Sequence, residues 1–166
     1  IPYYGASGIV DHVAEYIFDD DLLLISADGA NLLARTCPIA FSVSGKIWVN
    51  NHAHVLRFES TKYQRLLEYY MNSINLEPFV SGMAQPKLNQ RSLNGIPVPW
   101  SDNLSSIESI VDLLDDISES KSNLVEMNKQ KLLHLNELKQ SILHKAFTGE
   151  LAADPASIDR ALSEAL

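Results

Sequence analysis

Residues 104–147 read LSSIESIVDLLDDISESKSNLVEMNKQKLLHLNELKQSILHKAF, and this stretch decides how the chain is divided. It contains neither Gly nor Pro, and its apolar residues recur at alternating intervals of three and four, the period of a helix with one apolar face. A helix of this length extends about 66 Å at 1.5 Å per residue, farther than a small domain can cover. The sequence therefore predicts one long helix whose apolar stripe packs against a partner helix.

The seam of this helix, meaning the stripe of residues that would face a partner helix, has ten positions, of which seven are apolar. They are Ile110, Leu114, Ile117, Leu124, Leu135, Leu138 and Ile142. The other three, Lys121, Asn128 and Lys131, lie in the middle, where polar seam residues fix register and the number of partners. A solvated stretch or a break in the helix is the alternative interpretation. Gly149 is expected to end the helix with a left-handed cap.

The residues before the helix have a different period. Short apolar runs separated by Gly, Asn, Asp and Pro predict strands at 8–10, 22–25, 39–43, 47–49 and 54–58. Ser60 is a suitable cap for a helix over residues 61–74. We therefore expect an α+β fold, with a mixed α/β domain over residues 1–100, a long coiled-coil helix over 104–149 and a tail over 150–166. A short helix is compatible with the sequence after Pro155.

Composition narrows the classes of protein to which the chain can belong. The 166 residues are 46% hydrophobic and 20% charged, as in ordinary globular domains, and the net charge is −8. A protein that binds DNA by phosphate neutralisation alone has the opposite sign of charge. No apolar run is long enough to span a membrane. A single cysteine, Cys37, favours a reducing compartment such as the cytoplasm.

Motifs of catalysis and cofactor binding are weak in this sequence. Gly5–Gly8 lacks the Lys and Ser/Thr of a phosphate-binding loop and is better explained as a tight turn. His52 and His54 face the same way on a strand, but no third ligand follows at a diagnostic spacing, so hydrogen-bonding histidines that anchor a loop are the better interpretation. Asp19–Asp21 lacks the later oxygen ligands of a calcium loop. We expect no catalytic residue, cofactor or metal in this chain.

One polar loop gathers side chains that read nucleic acid. Lys87 and Arg91 are of the types that contact guanine or phosphate, and Asn89 and Gln90 are of the types that pair with adenine edges. An ordinary solvated loop has the same composition, so both interpretations stay open. Beside the first glycine turn, Tyr3, Tyr4 and Ser7 are either base or sugar contacts or core residues with a polar end outward.

Several stretches together resemble the specificity subunits of type I restriction-modification systems. Four of them lie in the first hundred residues: Pro2–Gly8, Asp28–Asn31, Trp48–His54 and Gly82–Asn89. A fifth, Leu138–Leu151, is similar to the closing piece of that family's conserved helical region. They occur in the family's order and cover nearly the whole chain.

The resemblance implies an architecture and a set of partners. Residues 1 to about 100 would be a target recognition domain lacking its N-terminal edge, and the long helix a spacer and dimerisation arm. The chain would be a half-subunit or a fragment that binds double-stranded DNA and type I methyltransferase subunits, and restriction subunits indirectly. Two copies would pair with two-fold symmetry. S-adenosylmethionine, ATP and Mg²⁺ would be bound by the other subunits.

The resemblance also ranks the DNA-facing residues. The loop with Lys87, Asn89, Gln90 and Arg91 and the turn with Tyr3, Tyr4 and Ser7 come first. Asn50, Asn51 and His52, together with Arg35 and Lys46, come next. Two other functions are kept as alternatives: a coiled-coil interaction module that binds no DNA, and a solitary DNA-modifying enzyme. The DNA target is not readable from the loop residues.

Overall fold

A computed structural model describes residues 1–82, 84–101 and 103–151 of the chain. Its strands are β1 (Pro2–Gly5), β2 (Gly8–His12), β3 (Phe18–Asp19), β4 (Leu22–Ser26), β5 (Ala40–Val43), β6 (Lys46–Val49) and β7 (Ala53–Leu56). Its α-helices are α1 (Asn31–Ala34), α2 (Thr61–Ser73), α3 (Gln90–Asn94) and α4 (Leu104–Phe147), with a short 3₁₀ helix at Glu77–Phe79. The predicted α+β class is confirmed. The short helix considered after Pro155 lies outside the described residues.

The strands form two small sheets. One has the order β2-β1-β6-β3, in which β1 and β6 run parallel and the other neighbours antiparallel. The other is antiparallel throughout, in the order β5-β4-β7. The tight turn predicted at the first glycines joins β1 to β2, with Gly8 at a positive φ of 124°.

Strand β4 is buried on both faces, which explains its unbroken apolar sequence. Leu23 and Ile25 belong to a core cluster that includes residues of α2, while Leu22 and Leu24 belong to a second cluster with residues of β5 and β6. Because a strand alternates its side chains between two faces, β4 joins the two cores.

Two of the helices, α2 and α4, agree with the predictions made from the sequence. α2 begins after Ser60, whose side chain accepts a hydrogen bond from the backbone N–H of Lys62, as the capping prediction requires. α4 covers residues 104–147, the stretch predicted from its helical period, and Gly149 follows it with a φ of 79°. α1 and α3, of 4 and 5 residues, were not predicted. Both are too short to show a helical period.

The chain divides into two compact units, Ile1–Asp115 and a second that begins at Asp116. The first unit extends past the expected boundary near residue 100 and includes the first three turns of α4. Within the described residues, no helix combines the length and the apolarity needed to cross a membrane.

Candidate nucleic-acid interface

The turn between β1 and β2 is fastened to the ends of two other strands. The backbone N–H of Asn50, just after β6, donates to the carbonyl of Tyr4 at 2.9 Å. The hydroxyl of Ser26, the last residue of β4, donates to the carbonyl of Ala6. These two bonds place the glycine turn beside the loop at Asn50–His52.

A second set of backbone hydrogen bonds links the loop at Asn50–His52 to two further segments. The N–H of Ala27 donates to the carbonyl of His52 at 2.8 Å, and the N–H of Leu88 donates to the carbonyl of Ala27 at 2.8 Å. The N–H of Gly29 donates to the carbonyl of Pro86 at 3.0 Å. The four stretches that carry the family resemblance in the first unit therefore meet at one place, although they are far apart in sequence.

His52 and Asp28 form a pair at this meeting point. Nδ1 of His52 lies 2.7 Å from Oδ2 of Asp28, and their side chains are 50% and 20% exposed. Asp28 also forms a β-bridge with Lys87, so a carboxylate, an imidazole and the backbone of an exposed lysine are adjacent. His54, two residues on, has its Nε2 at 2.6 Å from the carbonyl of Leu88, which confirms the prediction of a loop-anchoring histidine.

The polar loop ends at Asn89, because the next two candidates, Gln90 and Arg91, already belong to α3. Lys87, Asn89, Gln90 and Arg91 are all exposed. The side chain of Asn89 accepts a hydrogen bond from the N–H of Ser92 at 2.9 Å and so caps α3, while Gln90 and Arg91 form its first turn. Asn89 thus has a structural contact, and Lys87, Gln90 and Arg91 present their polar groups to solvent.

The other candidates of the first rank divide between surface and core. Ser7 is exposed in the turn between β1 and β2. Tyr4 is half-buried against the second core cluster, with its ring 6.1 Å from that of Phe41, as the alternative interpretation expected of a core aromatic. Tyr3, on the same strand, is also half-buried.

The candidates of the second rank lie in three places. Asn51 is exposed, and Asn50 is half-buried with its Oδ1 accepting from the N–H of His52 at 2.9 Å. Lys46 begins β6, at the opposite end of that strand from Asn50, with Nζ 4.8 Å from the ring centre of Tyr16. Lys46 is therefore outside the place where the four stretches meet.

Arg35 is engaged inside the first unit. Its Nη2 donates to the carbonyls of Met71, Asn72 and Ile74, at 3.2, 2.9 and 3.0 Å, at the C-terminal end of α2. Burial lowers the pKa of this guanidinium. Arg35 also has a φ of 54°, a left-handed conformation that is uncommon for a residue with a side chain. These contacts indicate that Arg35 holds α1 on the end of α2.

Two residues at the site were not among the predicted contacts. Asp28 pairs with His52, and Asn31 ties its own loop together: its Oδ1 accepts from the N–H of Cys37 at 2.9 Å and its Nδ2 donates to the carbonyl of Cys37 at 3.0 Å. Both belong to the Asp28–Asn31 stretch, which was singled out only by the family resemblance. Membership of that stretch was the one sequence feature that could have pointed to Asp28 and Asn31.

The start of α4 is fixed to α2 by a polar network. Asp115 accepts from Nη2 of Arg65 at 2.5 Å and from the hydroxyl of Tyr69 at 2.6 Å, and Lys62 pairs with Asp112. Burial alone would raise the pKa of Asp115, but the hydrogen bonds from Tyr69 and Arg65 and the charges of Arg65 and Lys62 outweigh it, so the pKa lies below its usual value. Beneath this network, Ile107 and Val111 are buried.

The rest of α4 carries an exposed apolar surface. From Asp116 to Phe147 nearly every described side chain is exposed. The predicted seam residues Ile117, Leu124, Leu135, Leu138 and Ile142 have exposed fractions between 47% and 61%, and Ile110 is 48% exposed. Leu114 is half-buried. Val125, Met127, Leu132 and Leu133 are also exposed and widen the apolar surface beyond the seam.

Comparisons with known proteins agree with this arrangement. A family model described as the type I restriction modification DNA specificity domain matches residues 1–134. A protein of Haemophilus influenzae that bears the name of a type I restriction enzyme specificity subunit is 37% identical over 118 residues, which are 71% of this chain. The chain spans 30% of the length of that curated relative.

Proposed function

The chain belongs to the type I restriction modification DNA specificity family, and from this membership we propose that it is a non-catalytic subunit reading one half of a split DNA target. The observation that carries the proposal is the meeting of four chain segments at one surface. Stretches far apart in sequence there present Ser7, Asn51, His52 and Lys87 to solvent, and Arg91 follows in the first turn of α3.

The chemistry of this surface suits a DNA groove. Lys87 and Arg91 supply positive charge for phosphates or guanine edges, while Ser7, Asn51 and Gln90 supply hydrogen-bond donors and acceptors. The backbone bonds between the segments hold these side chains on a fixed framework, which is a condition for reading base edges rather than charge alone.

The negative charge of the chain requires help with the DNA backbone. At a net charge of −8, the chain lacks the basic excess that gives tight binding by counterion release. We propose that type I methyltransferase subunits dock on the chain and supply most of the phosphate contacts. S-adenosylmethionine, ATP and Mg²⁺ would then be used by methyltransferase and restriction subunits, in the cytoplasm, with the restriction subunits joined indirectly.

The exposed face of α4 supports pairing with a second copy of the chain. An apolar stripe of this length is stable in water only when another helix covers it. The charges along the helix favour an antiparallel pair: residues 104–127 hold six acidic side chains and one basic, a net of −5, while residues 128–147 hold four basic and one acidic, a net of +3. Packed helix axes lie about 8–10 Å apart, within a Debye length, so opposite halves attract.

The polar seam residues select the register of such a pair. If Asn128 meets Lys131 of the second copy, the seam aligns Leu124 with Leu135, Lys121 with Leu138 and Ile117 with Ile142. Shifting the copies by one heptad would instead place Lys121 against Lys131, two like charges in an apolar seam. Residues outside the seam, such as Val125 and Leu132, remain for a further helix, and we assign them to methyltransferase docking.

The test is selection from a library of randomised duplexes, using the chain mixed with type I methyltransferase subunits. We expect an enriched sequence of two inverted half-sites separated by a fixed gap, because two-fold related copies read the same half-site on opposite strands. The methyltransferase subunits alone are the control. Failure to enrich any sequence beyond that control would reject DNA reading in favour of the coiled-coil interaction module that the exposed helix also suggests.

A further inference from the structure

The pair formed by Asp28 and His52 joins two segments of the candidate interface. Its short distance of 2.7 Å is supported on both sides by backbone bonds, since Ala27 is bonded to the carbonyl of His52 and Gly29 to that of Pro86. The imidazole is half exposed and the carboxylate is largely covered. Asp28 therefore holds the ring from behind and leaves its outer edge accessible.

The chemistry of the pair fixes which ring nitrogen faces outward. An ionised carboxylate only accepts hydrogen bonds, so Nδ1 of His52 must carry the hydrogen that it shares with Asp28. Within the described residues, Nε2 makes no hydrogen bond. A neutral ring thus presents a bare acceptor at Nε2, and a protonated ring presents a donor.

The charges around the ring favour the donor form beside DNA. Asp28 contributes −1 and Lys87, on the bridged segment, contributes +1, while Asn50 is neutral and the ring of His54 is turned to the carbonyl of Leu88. The group is neutral with a neutral imidazole and has a charge of +1 with an imidazolium. A phosphate beside the ring meets no net charge in the first case and is attracted in the second.

We infer that Asp28 is a positioning residue that holds His52 so that its protonated Nε2–H donates to a DNA phosphate, and that DNA binding takes up this proton. The inference rests on the proposed function, because it assigns a contact within the proposed interface. Histidine is the side chain whose charge ordinarily changes between about pH 5 and pH 8, so binding assays in that range can detect the uptake of a proton.

The experiment measures the Kd of the chain with methyltransferase subunits for its selected duplex, from pH 6 to pH 8 at fixed ionic strength. We expect affinity to fall as pH rises, by at most about tenfold per pH unit for one linked proton. His52→Gln should remove the part of the slope of log Kd against pH that this proton causes. Asp28→Asn should make the slope shallower, and Asp28→Glu, which keeps the carboxylate, should restore part of it.

A matched control separates this linkage from a general loss of charge. Arg91→Ala, which removes a charge that is not part of the group around the ring, should weaken binding at every pH and leave the slope unchanged. If His52→Gln keeps the wild-type slope, the inference is wrong while the proposed function stands. If the wild-type complex shows no preference for its selected duplex at any pH, the proposed function itself fails.

A second measurement does not depend on whether the variants fold. Nitrogen chemical shifts of the His52 ring in the unmodified chain report which nitrogen is protonated. The inference predicts the Nδ1–H tautomer in the neutral ring. The Nε2–H tautomer there would overturn the positioning role of Asp28.

Discussion

Lys87 and Arg91 are exposed cations of the candidate interface, and neither makes an ion pair within the described residues. Changing either residue to Ala should weaken binding to all duplexes if it contacts phosphate, and each lost phosphate contact should lower the salt-dependence slope by about 0.9. Binding at several salt concentrations checks this, with the solution mass of the chain as a control that should not change. Unchanged binding in both variants would remove this segment from the interface.

Arg35 is expected to act on stability rather than on DNA. Its guanidinium satisfies three carbonyls at the end of α2, so Arg35→Leu should lower the free energy of unfolding by about 1–3 kcal/mol, the usual cost of leaving buried polar groups unpaired. Urea unfolding measures the loss. Arg91→Leu, which alters an exposed arginine, is the matched control and should unfold like the wild type. Equal stability of the two variants would contradict the assigned role.

Arg35 and Asn89 show what residue types alone can predict. The sequence marked both as polar side chains in suitable segments, but their contacts are with backbone groups of α2 and α3. Those partners are set by the fold and are not readable from composition. Asp28 is the reverse case: its partner His52 lies 24 positions away, so only the folded chain reveals the pair.

At the scale of elements, α4 and β4 were the easiest to predict. A helix of 44 residues repeats its apolar period many times, and a strand buried on both faces is apolar throughout. α1 and α3 have barely one turn each, so their apolar residues cannot repeat at a helical interval. The packing of the first turns of α4 against α2 could not be predicted from the sequence either, because it depends on Arg65 and Tyr69 of α2.

Asp115 makes the attachment of α4 sensitive to acid. Its pKa is lower in the folded chain than in the unfolded chain, so its contribution is fully present above the unfolded value, near 4, and is lost as pH falls through the folded value. Asp115→Asn should destabilise the first unit at pH 7 by about 1 kcal/mol or less, since water screens this partly exposed pair.

Urea unfolding at pH 7 and at pH 3 measures this effect. The difference between wild type and Asp115→Asn should shrink at the lower pH. Asp116→Asn, one residue along the helix and exposed, is the control and should behave like the wild type at both pH values. A difference for Asp115→Asn that is the same at pH 7 and pH 3 would contradict the argument.

The proposed antiparallel register of two α4 helices can be tested by cross-linking. In a Cys37→Ser background, a mixture of Leu124→Cys and Leu135→Cys chains should form a mixed disulfide, because these positions face each other. Leu124→Cys alone should not link to itself, since its copies would lie about 16 Å apart, too far for a disulfide. Glu126→Cys, away from the seam, is the control. Efficient self-linking of Leu124→Cys would indicate a parallel pair.

At the scale of the whole molecule, the distribution of charge explains why composition alone pointed away from DNA. The acidic residues are concentrated in the first half of α4, where Asp112 and Asp115 pair with Lys62 and Arg65 of the first unit. The candidate interface itself carries Lys87 and Arg91. A net charge averages over these two regions, so it describes neither the candidate interface nor the helix.

Sequence-specific reading of DNA is the central claim, and the most direct measurement is a ratio of two affinities. The chain with methyltransferase subunits is titrated with its selected duplex and with a duplex of scrambled half-sites, at one salt concentration. We predict that the selected duplex binds at least about 10³-fold more tightly, as in specific protein–DNA complexes. A ratio near one would contradict the claim, because the four segments would then form a surface that does not read bases.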